Sequence, residues 1–214
     1  MPREDIVYAV DDDREFLASL RSILEAADFQ VRAFNAAREL LDQIELRPRS
    51  CIVSDIRMPG MDGIALQREI ARREFRIPFV FVTGYGDVPL AVDAMKSGAI
   101  DFIEKPIDDS LLIDGVNRAL EESRTLWERI GAERRAQELL ATLSAREMEV
   151  FELLSQGLQN AEVSTRLGIS PRTVEVHRAN LYRKLDIRNL AAVVRIALLA
   201  GIASPTDLFA APSS

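Results

Sequence analysis

Through roughly its first 120 residues the chain alternates short apolar runs with stretches whose apolar residues recur at helical spacing, and no other feature limits its fold so strongly. Ile6 to Val10, Gln30 to Phe34, Cys51 to Ser54, Pro78 to Val82 and Asp101 to Ile103 read as strands. Helices are expected over Arg14 to Ala27, Ala36 to Ile44, Gly63 to Arg73 and Val88 to Ser97, with another opening near Asp109. Strands separated by helices cannot form hairpins; each return crosses a face of the sheet, so the strands run parallel and both faces are covered. The expected fold class here is α/β, a doubly wound five-stranded parallel sheet. Asn35 and Asp87 stand where helix N-caps belong, and Gly98 where the fourth helix should stop.

Asp109 to about Leu140 contains no proline, and Leu112, Val116, Ala119, Leu120, Leu126, Trp127 and Ile130 keep a helical rhythm. One long helix is predicted, with Gly131 its weakest point. Its charged part, Glu121 to Glu138, suits a lever between domains, a helical pairing surface or a solvated spacer. Beyond it the pattern is wholly helical. Ser144-Ala145-Arg146-Glu147 is a capping box, and Gly157 closes the helix that follows. Asn160 to Leu167 is a short helix stopped by Gly168, and Ser170-Pro171 opens a third that runs to about Leu185. A fourth, apolar helix spans about Asn189 to Ala200, ahead of a Pro/Ser/Ala-rich tail from Ser204. The expected organisation is a first domain over 1–122, a helical linker over 123–141 and an all-helical domain over 142–214.

Two domains suit a length of 214 residues with 48% hydrophobic and 29% charged side chains. No run approaches the roughly 20 apolar residues of a membrane span, and Met1 to Val10 lacks the pattern of a signal peptide, so no membrane contact and a cytoplasmic location are expected. With one Cys and one His, neither an internal disulfide nor a structural zinc site is expected, and any metal should be held by oxygen. The net charge of −7 is uneven: 19 basic residues face 27 acidic ones in 1–141, against 8 and 7 in 142–214. Asn160 to Arg188 carries a local +3, the right sign for a phosphate backbone.

In an open parallel sheet, ligands collect at the carboxyl ends of the strands, near the reversal of strand order. There the first strand presents Asp11, Asp12 and Asp13, the third Asp55, the fourth Thr83 and the fifth Lys105, followed by Pro106. Crowded carboxylates repel unless a cation joins them, and oxygen donors favour magnesium. Asp55 would then be a nucleophile toward a phosphoryl group, with Lys105 and the Thr83 hydroxyl on its oxygens and an aspartyl phosphate as product. The plainer account is that each acid is a helix cap or surface charge, and it fits Asp13 best. Cys51 reads as a small core residue rather than a redox sensor.

Val-Asp-Asp-Asp at 10–13, Ser-Asp-Ile-Arg-Met-Pro-Gly-Met-Asp-Gly at 54–63, Val-Thr-Gly-Tyr-Gly-Asp-Val at 82–88 and Phe-Ile-Glu-Lys-Pro at 102–106 resemble a response-regulator receiver domain, whose fold is flavodoxin-like. The resemblance covers nearly all of residues 4–122. It implies Asp55 as phosphoacceptor, Mg2+ (or Mn2+) held by Asp11, Asp12, Asp55 and the Arg57 backbone carbonyl, and Thr83 and Lys105 as phosphoryl-sensing groups. Phe102 falls where the family carries a rotamer-switching aromatic; a core aromatic is the duller account.

In the second half, a short helix, a tight turn and a capped basic helix follow the helix-turn-helix plan, although a small protein-binding domain would show the same pattern. Thr173, Val176, His177 and Asn180 share one face of the third helix, with Arg172, Arg178, Arg183 and Lys184 around it for phosphates. Leu-Ser-Ala-Arg-Glu-Met-Glu-Val at 143–150 and the run from Gly168 to Leu185 resemble a LuxR-type helix-turn-helix. With the receiver, this makes the chain similar to the NarL/FixJ class, FixJ-like regulators above all. The resemblance adds Asn160 and Glu175 to the DNA-facing set, and Ala161 departs from the Lys often found there. His177 suits packing and DNA contact equally; Val174, Leu181 and Leu185 should be core.

Together these readings imply a two-component response regulator, not an enzyme, in which a sensor histidine kinase phosphorylates Asp55 and thereby controls dimerisation and sequence-specific binding of promoter DNA. RNA polymerase is a further candidate partner. Two pairing surfaces are expected: one around Val92, Met95, Lys96 and Glu104, the other around Val194 and Leu198. An aspartate-nucleophile phosphatase of the haloacid dehalogenase kind uses the same side chains, but places its nucleophile after the first strand and would leave Asp55 idle. A regulator acting through protein or RNA contacts of its helical half is the other rival.

Overall fold

The parallel sheet expected from the alternating pattern has the strand order β2-β1-β3-β4-β5. The computed structural model describes residues 5–45, 47–84 and 98–203. The helix expected over Val88 to Ser97, the cap at Asp87 and the tail from Ser204 lie outside these residues. In chain order the first unit contains β1 (Ile6–Val10), α1 (Arg14–Ala26), β2 (Gln30–Phe34), α2 (Ala37–Gln43), β3 (Ser50–Asp55), α3 (Gly63–Arg72), β4 (Phe79–Thr83) and β5 (Asp101–Glu104). The long helix α4 (Asp109–Leu140) follows, then α5 (Ala145–Ser155), α6 (Asn160–Leu167), α7 (Pro171–Lys184) and α8 (Leu190–Leu199). The chain divides into two compact units, Met1–Trp127 and Glu128–Ser214, so the division falls inside α4.

Because side chains alternate along a strand, the sheet of the first unit builds two cores. Ile6, Tyr8, Val10, Ile52, Phe79 and Phe81 pack with Leu40 and Leu41 of α2 and Leu66 and Ile70 of α3. Their strand neighbours Val7, Ala9, Cys51, Val53, Val80 and Val82 face the other way, onto Leu17, Leu20 and Leu24 of α1 and Leu112, Val116 and Leu120 of α4. Each fully buried Leu or Val contributes about 1.5–3 kcal/mol. Cys51 sits wholly inside this second layer, where burial pushes its thiol pKa far up and leaves it a packing residue.

Helix entries follow local chemistry. Asp13 caps α1, accepting at Oδ1 from the backbone N–H of Glu15 (3.0 Å) and Phe16 (3.1 Å). Asp62 caps α3, accepting from Ala65 N at 2.6 Å. Asn35 is not a cap, contrary to expectation. The cap position of α2 is Ala36, which has no side-chain oxygen, and the Asn35 N–H donates instead to Glu39 Oε2 (3.3 Å) reaching back from the first turn.

Helix α4 continues without a break through Gly131. Arg129 pairs with Glu133 and Arg134 with Glu138, each at 2.9 Å, one turn apart. Two such pairs at about 0.3–0.5 kcal/mol each offset most of the roughly 1 kcal/mol that a mid-helix glycine costs. The segment expected as a linker is anchored at both ends: Ser123 Oγ accepts from Ser50 N (3.1 Å) in the first unit, while Ala136 and Leu140 belong to the core of the second.

That second core gathers Val150, Phe151 and Leu154 of α5, Val163 of α6, Val174 and Leu181 of α7, Leu185, and Val193, Ile196 and Ala197 of α8. Gly168 ends α6 in the left-handed conformation, φ +64°, which a side chain rarely tolerates, and Ser170 caps α7 with Pro171 at its first turn. The turn between these helices is therefore only three residues long.

Candidate functional site

Strand register decides which side chains meet. Val10 lies beside Ser54, Asp55 beside Val82 and Thr83 beside Glu104, so the next residues, Asp11, Thr83 and Lys105, arrive at one rim with Asp55. The rim lies at the carboxyl end of the sheet, where the strand order turns back between β1 and β3.

Lys105 crosses the rim: its Nζ donates to Asp11 Oδ2 (2.8 Å) and to Asp55 Oδ1 (2.9 Å). Both carboxylates are buried, at 1% and 7% exposure, so their attraction to the ammonium is little screened. Burial raises the Asp55 pKa above the ordinary carboxylate range, against the lowering effect of the Lys105 bond and a backbone hydrogen bond from Arg57; the neighbouring Asp11 charge adds to the rise. For Lys105, burial opposes the charged form, yet the bonds to Asp11 and Asp55 outweigh it and raise the pKa. The Lys105 bonds thus favour the charged form of both partners, against the burial that opposes it.

Thr83 is buried at the end of β4, and the backbone N–H of Lys105 donates to its carbonyl at 2.7 Å. The Lys105–Pro106 peptide is cis. Phe102 is half-buried against the α2/α3 core layer. Asp12 and Arg57 are exposed beside the pocket, and Asp13 is the α1 cap. Among the described residues, no three His, Cys, Asp or Glu side chains are grouped about one point. The donor chemistry nonetheless suits a hard cation, because one ammonium balances only one of two buried carboxylates and leaves a net negative pocket.

Two pocket residues escaped sequence reasoning. A Cβ on Gly63 would stand 2.3 Å from the Asp55 carbonyl oxygen, so only glycine lets α3 start this close to the acid. Phe16, on the first turn of α1, places its ring under Lys105 Nζ, 3.8 Å from the centroid. An aromatic residue three positions after a capping acid was the available signal.

On α7, Val174 and Leu181 turn inward and Val176 outward, 54% exposed. Arg172, Glu175 and Arg183 are exposed, with Arg183 Nη2 donating to Asn180 Oδ1 (3.2 Å); Thr173, His177 and Asn180 are half-buried. Thr173 also shares its hydroxyl with the Ser170 cap at 2.8 Å. Arg178 donates to Asn160 Oδ1 (3.0 Å) and stacks on Tyr182, tying α7 to the start of α6. Lys184, also exposed, is held within the unit: its Nζ lies 2.6 Å from Glu147 Oε2 and 3.2 Å from the Thr142 carbonyl. A nearly buried carboxylate outcompetes solvent for that ammonium, which sequence alone did not reveal. Of the two expected pairing surfaces, Val92, Met95 and Lys96 lie outside the described residues, Glu104 is exposed, and Val194 and Leu198 are half-buried on α8.

A carboxylate-lysine rim on a 2-1-3-4-5 sheet and a short-turned helix pair in one chain define a regulator with an input domain and a DNA-binding output. The chain matches the profile of the response regulator receiver domain over residues 7–117 and that of bacterial regulatory proteins of the luxR family over 141–197. It is 42% identical over 207 residues to the transcriptional regulatory protein FixJ of Azorhizobium caulinodans, covering 97% of this chain and 98% of that one. Among solved structures, the response regulator StyR superposes with a TM-score of 0.75 at 37% identity, covering 90% of this chain and 98% of StyR. Full-length FixJ from B. japonicum gives 0.56 at 38% identity, covering 94% and 99%. The chain belongs to the two-component response regulators that join a receiver to a LuxR-type DNA-binding domain, and it is a transcriptional regulator.

Proposed function

We propose that a sensor histidine kinase phosphorylates Asp55 and that this controls dimerisation and binding of promoter DNA. The observation that carries the reading is the Lys105 bridge between Asp11 and Asp55, a pocket with one nucleophile-ready carboxylate and a cation poised beside it. Asp11, Asp12, Asp55 and the Arg57 carbonyl would hold Mg2+, or Mn2+, which would supply charge neutralisation for the incoming phosphoryl oxygens. Lys105 exchanges its bond to Asp55 for one to a phosphoryl oxygen, and the Thr83 hydroxyl takes another. Phe102, half-buried beside β4, follows Thr83 and reports the change to the β5 surface.

The domain assignment is a receiver over 1–122, a helical linker over 123–141 and a DNA-binding domain over 142–214. Recognition rests on the exposed face of α7: Val176, Thr173, His177 and Asn180 toward bases, Arg172, Glu175 and Arg183 flanking them, and Arg178 with Asn160 bracing the helix beside the backbone. Lys184 serves this face indirectly, through Glu147. RNA polymerase is the downstream partner and the cytoplasm the site of action; no helix among the described residues is long and apolar enough to cross a membrane.

The test is labelling with radioactive acetyl phosphate and magnesium. Stable label on the native protein and none on Asp55→Asn or in excess chelator is expected. Stoichiometric labelling of Asp55→Asn would overturn the assignment.

A further inference from the structure

We propose that Phe16 is a positioning residue for Lys105: its ring closes the third side of the ammonium and holds it between Asp11 and Asp55, where a phosphoryl group arrives. The inference rests on the phosphoacceptor role proposed for Asp55. Lysine is a compact charge on a flexible stem, so two hydrogen bonds at 2.8 and 2.9 Å leave one donor and one side of the ammonium to be satisfied by water or protein. The Phe16 ring centroid lies 3.8 Å from Nζ, within the range where the negative face of an aromatic ring attracts a cation.

The ring is itself fixed. Its backbone N–H donates to Asp13 Oδ1 at 3.1 Å, so the α1 cap sets where the side chain starts, and its body packs with the α1/α4 core layer. The Lys105 side chain is 24% exposed, so the ring competes with water for a group at the pocket mouth rather than burying one already enclosed. An aliphatic residue of similar size would keep the packing and lose the attraction. That separates a positioning role from a structural one.

In the assay, acetyl phosphate gives its phosphoryl group to Asp55: the bond from phosphorus to the acetate oxygen breaks as the bond to the Asp55 carboxylate forms, and acetate leaves with the electron pair. The full-length protein is compared with Phe16→Leu, Phe16→Met and Phe16→Tyr, with magnesium present. Labelling is expected to slow about threefold in the Leu and Met variants and to stay near the native rate in the Tyr variant. A direct readout needs no phosphorylation. With only Lys96, Lys105 and Lys184 in the chain, the ring-current displacement of the Lys105 ε-methylene signal can be followed by NMR. It should vanish with Leu or Met and persist with Tyr, while melting temperatures stay together.

If the native protein takes the label and the Leu and Met variants match its rate, the positioning role is wrong and the phosphoacceptor reading stands. Equal slowing by Tyr also overturns the inference, since shape rather than the aromatic face would then matter. If the native protein takes no label, the phosphoacceptor reading fails and the inference falls with it.

Discussion

Asp55 is the residue at which function and stability pull apart. Its folded pKa lies above the ordinary value of about 3.9. The folded state therefore holds that proton more tightly than the unfolded chain does, and stability falls as pH rises through the interval between the two values. The penalty is complete only above the folded pKa. Asp55→Asn should raise stability by about 1 kcal/mol, a shift of about 3 °C in melting temperature for a chain of this size, because Lys105 keeps Asp11 as partner. Below the ordinary carboxylate pKa, near pH 3, both proteins carry a neutral side chain there and the gain should disappear; thermal melts at the two pH values check it. Gly63 marks the opposite case, a residue whose absence of side chain is the function. With the Asp55 carbonyl 2.3 Å from where a Cβ would stand, Gly63→Ala must displace backbone rather than a side-chain tip. A loss of about 2–3 kcal/mol is expected, read as a lower urea midpoint with unchanged slope. A change below about 0.5 kcal/mol would mean the two segments are less closely fixed than the packing indicates.

Among the elements, α5 and α7 share the apolar core of the second unit and are also bridged by one carboxylate. Glu147 accepts from Ser144 N at 2.8 Å, completing the α5 capping box, and from Lys184 Nζ at 2.6 Å at the end of α7. The Lys184 bond, helped by the Ser144 N–H, lowers its pKa to about 2. A lowered folded pKa means stabilisation that is complete above the ordinary value of about 4.3 and lost as pH falls toward about 2. The helical signal of the second unit should fade across that window. Glu147→Gln should flatten the acid transition while lowering stability at neutral pH. Lys184→Ala should cost stability of the same unit, by about 1 kcal/mol, more than it costs DNA affinity. On the exposed face of α7, Val176→Ala is expected to change base preference, whereas Arg172→Ala should weaken binding to all sequences and reduce the salt slope by about one unit. Equal loss in both, measured by DNA titration at several salt concentrations, would place the reading face elsewhere on the helix.

At the level of the whole molecule, the charge balance sets a problem that the proposed dimerisation would solve. Residues 142–214 carry 8 basic against 7 acidic side chains, and one small helix-turn-helix with so little charge gains little from counterion release. Two copies on two half-sites convert the second binding step into an intramolecular one, with affinity rising by about two orders of magnitude or more. Sedimentation with and without magnesium and a beryllofluoride phosphate mimic should show a monomer becoming a dimer, with tighter binding to a two-half-site operator. A monomer in both states, with unchanged DNA affinity, would remove this basis for control.

The amino-acid sequence by itself determined the order and type of the described elements, because apolar periodicity, the Ser144 and Ser170 caps and the Gly168 stop act within a few residues. It also placed Asp11, Asp55, Thr83 and Lys105 at strand ends, since a parallel α/β sheet puts every such end on one rim. Which partner each charge found was decided by the tertiary structure alone. A lysine near the end of a basic helix suits a phosphate as well as a carboxylate in sequence; only packing brings Glu147 to Lys184, 37 residues away. Phe16 and Lys105 likewise meet because the start of α1, just after β1, and the residue after β5 both stand at the carboxyl rim of the sheet, and Gly63 matters because α3 begins against the Asp55 carbonyl. Local signals are written in adjacent residues, whereas convergence depends on register and layer packing, which no short stretch of chain encodes.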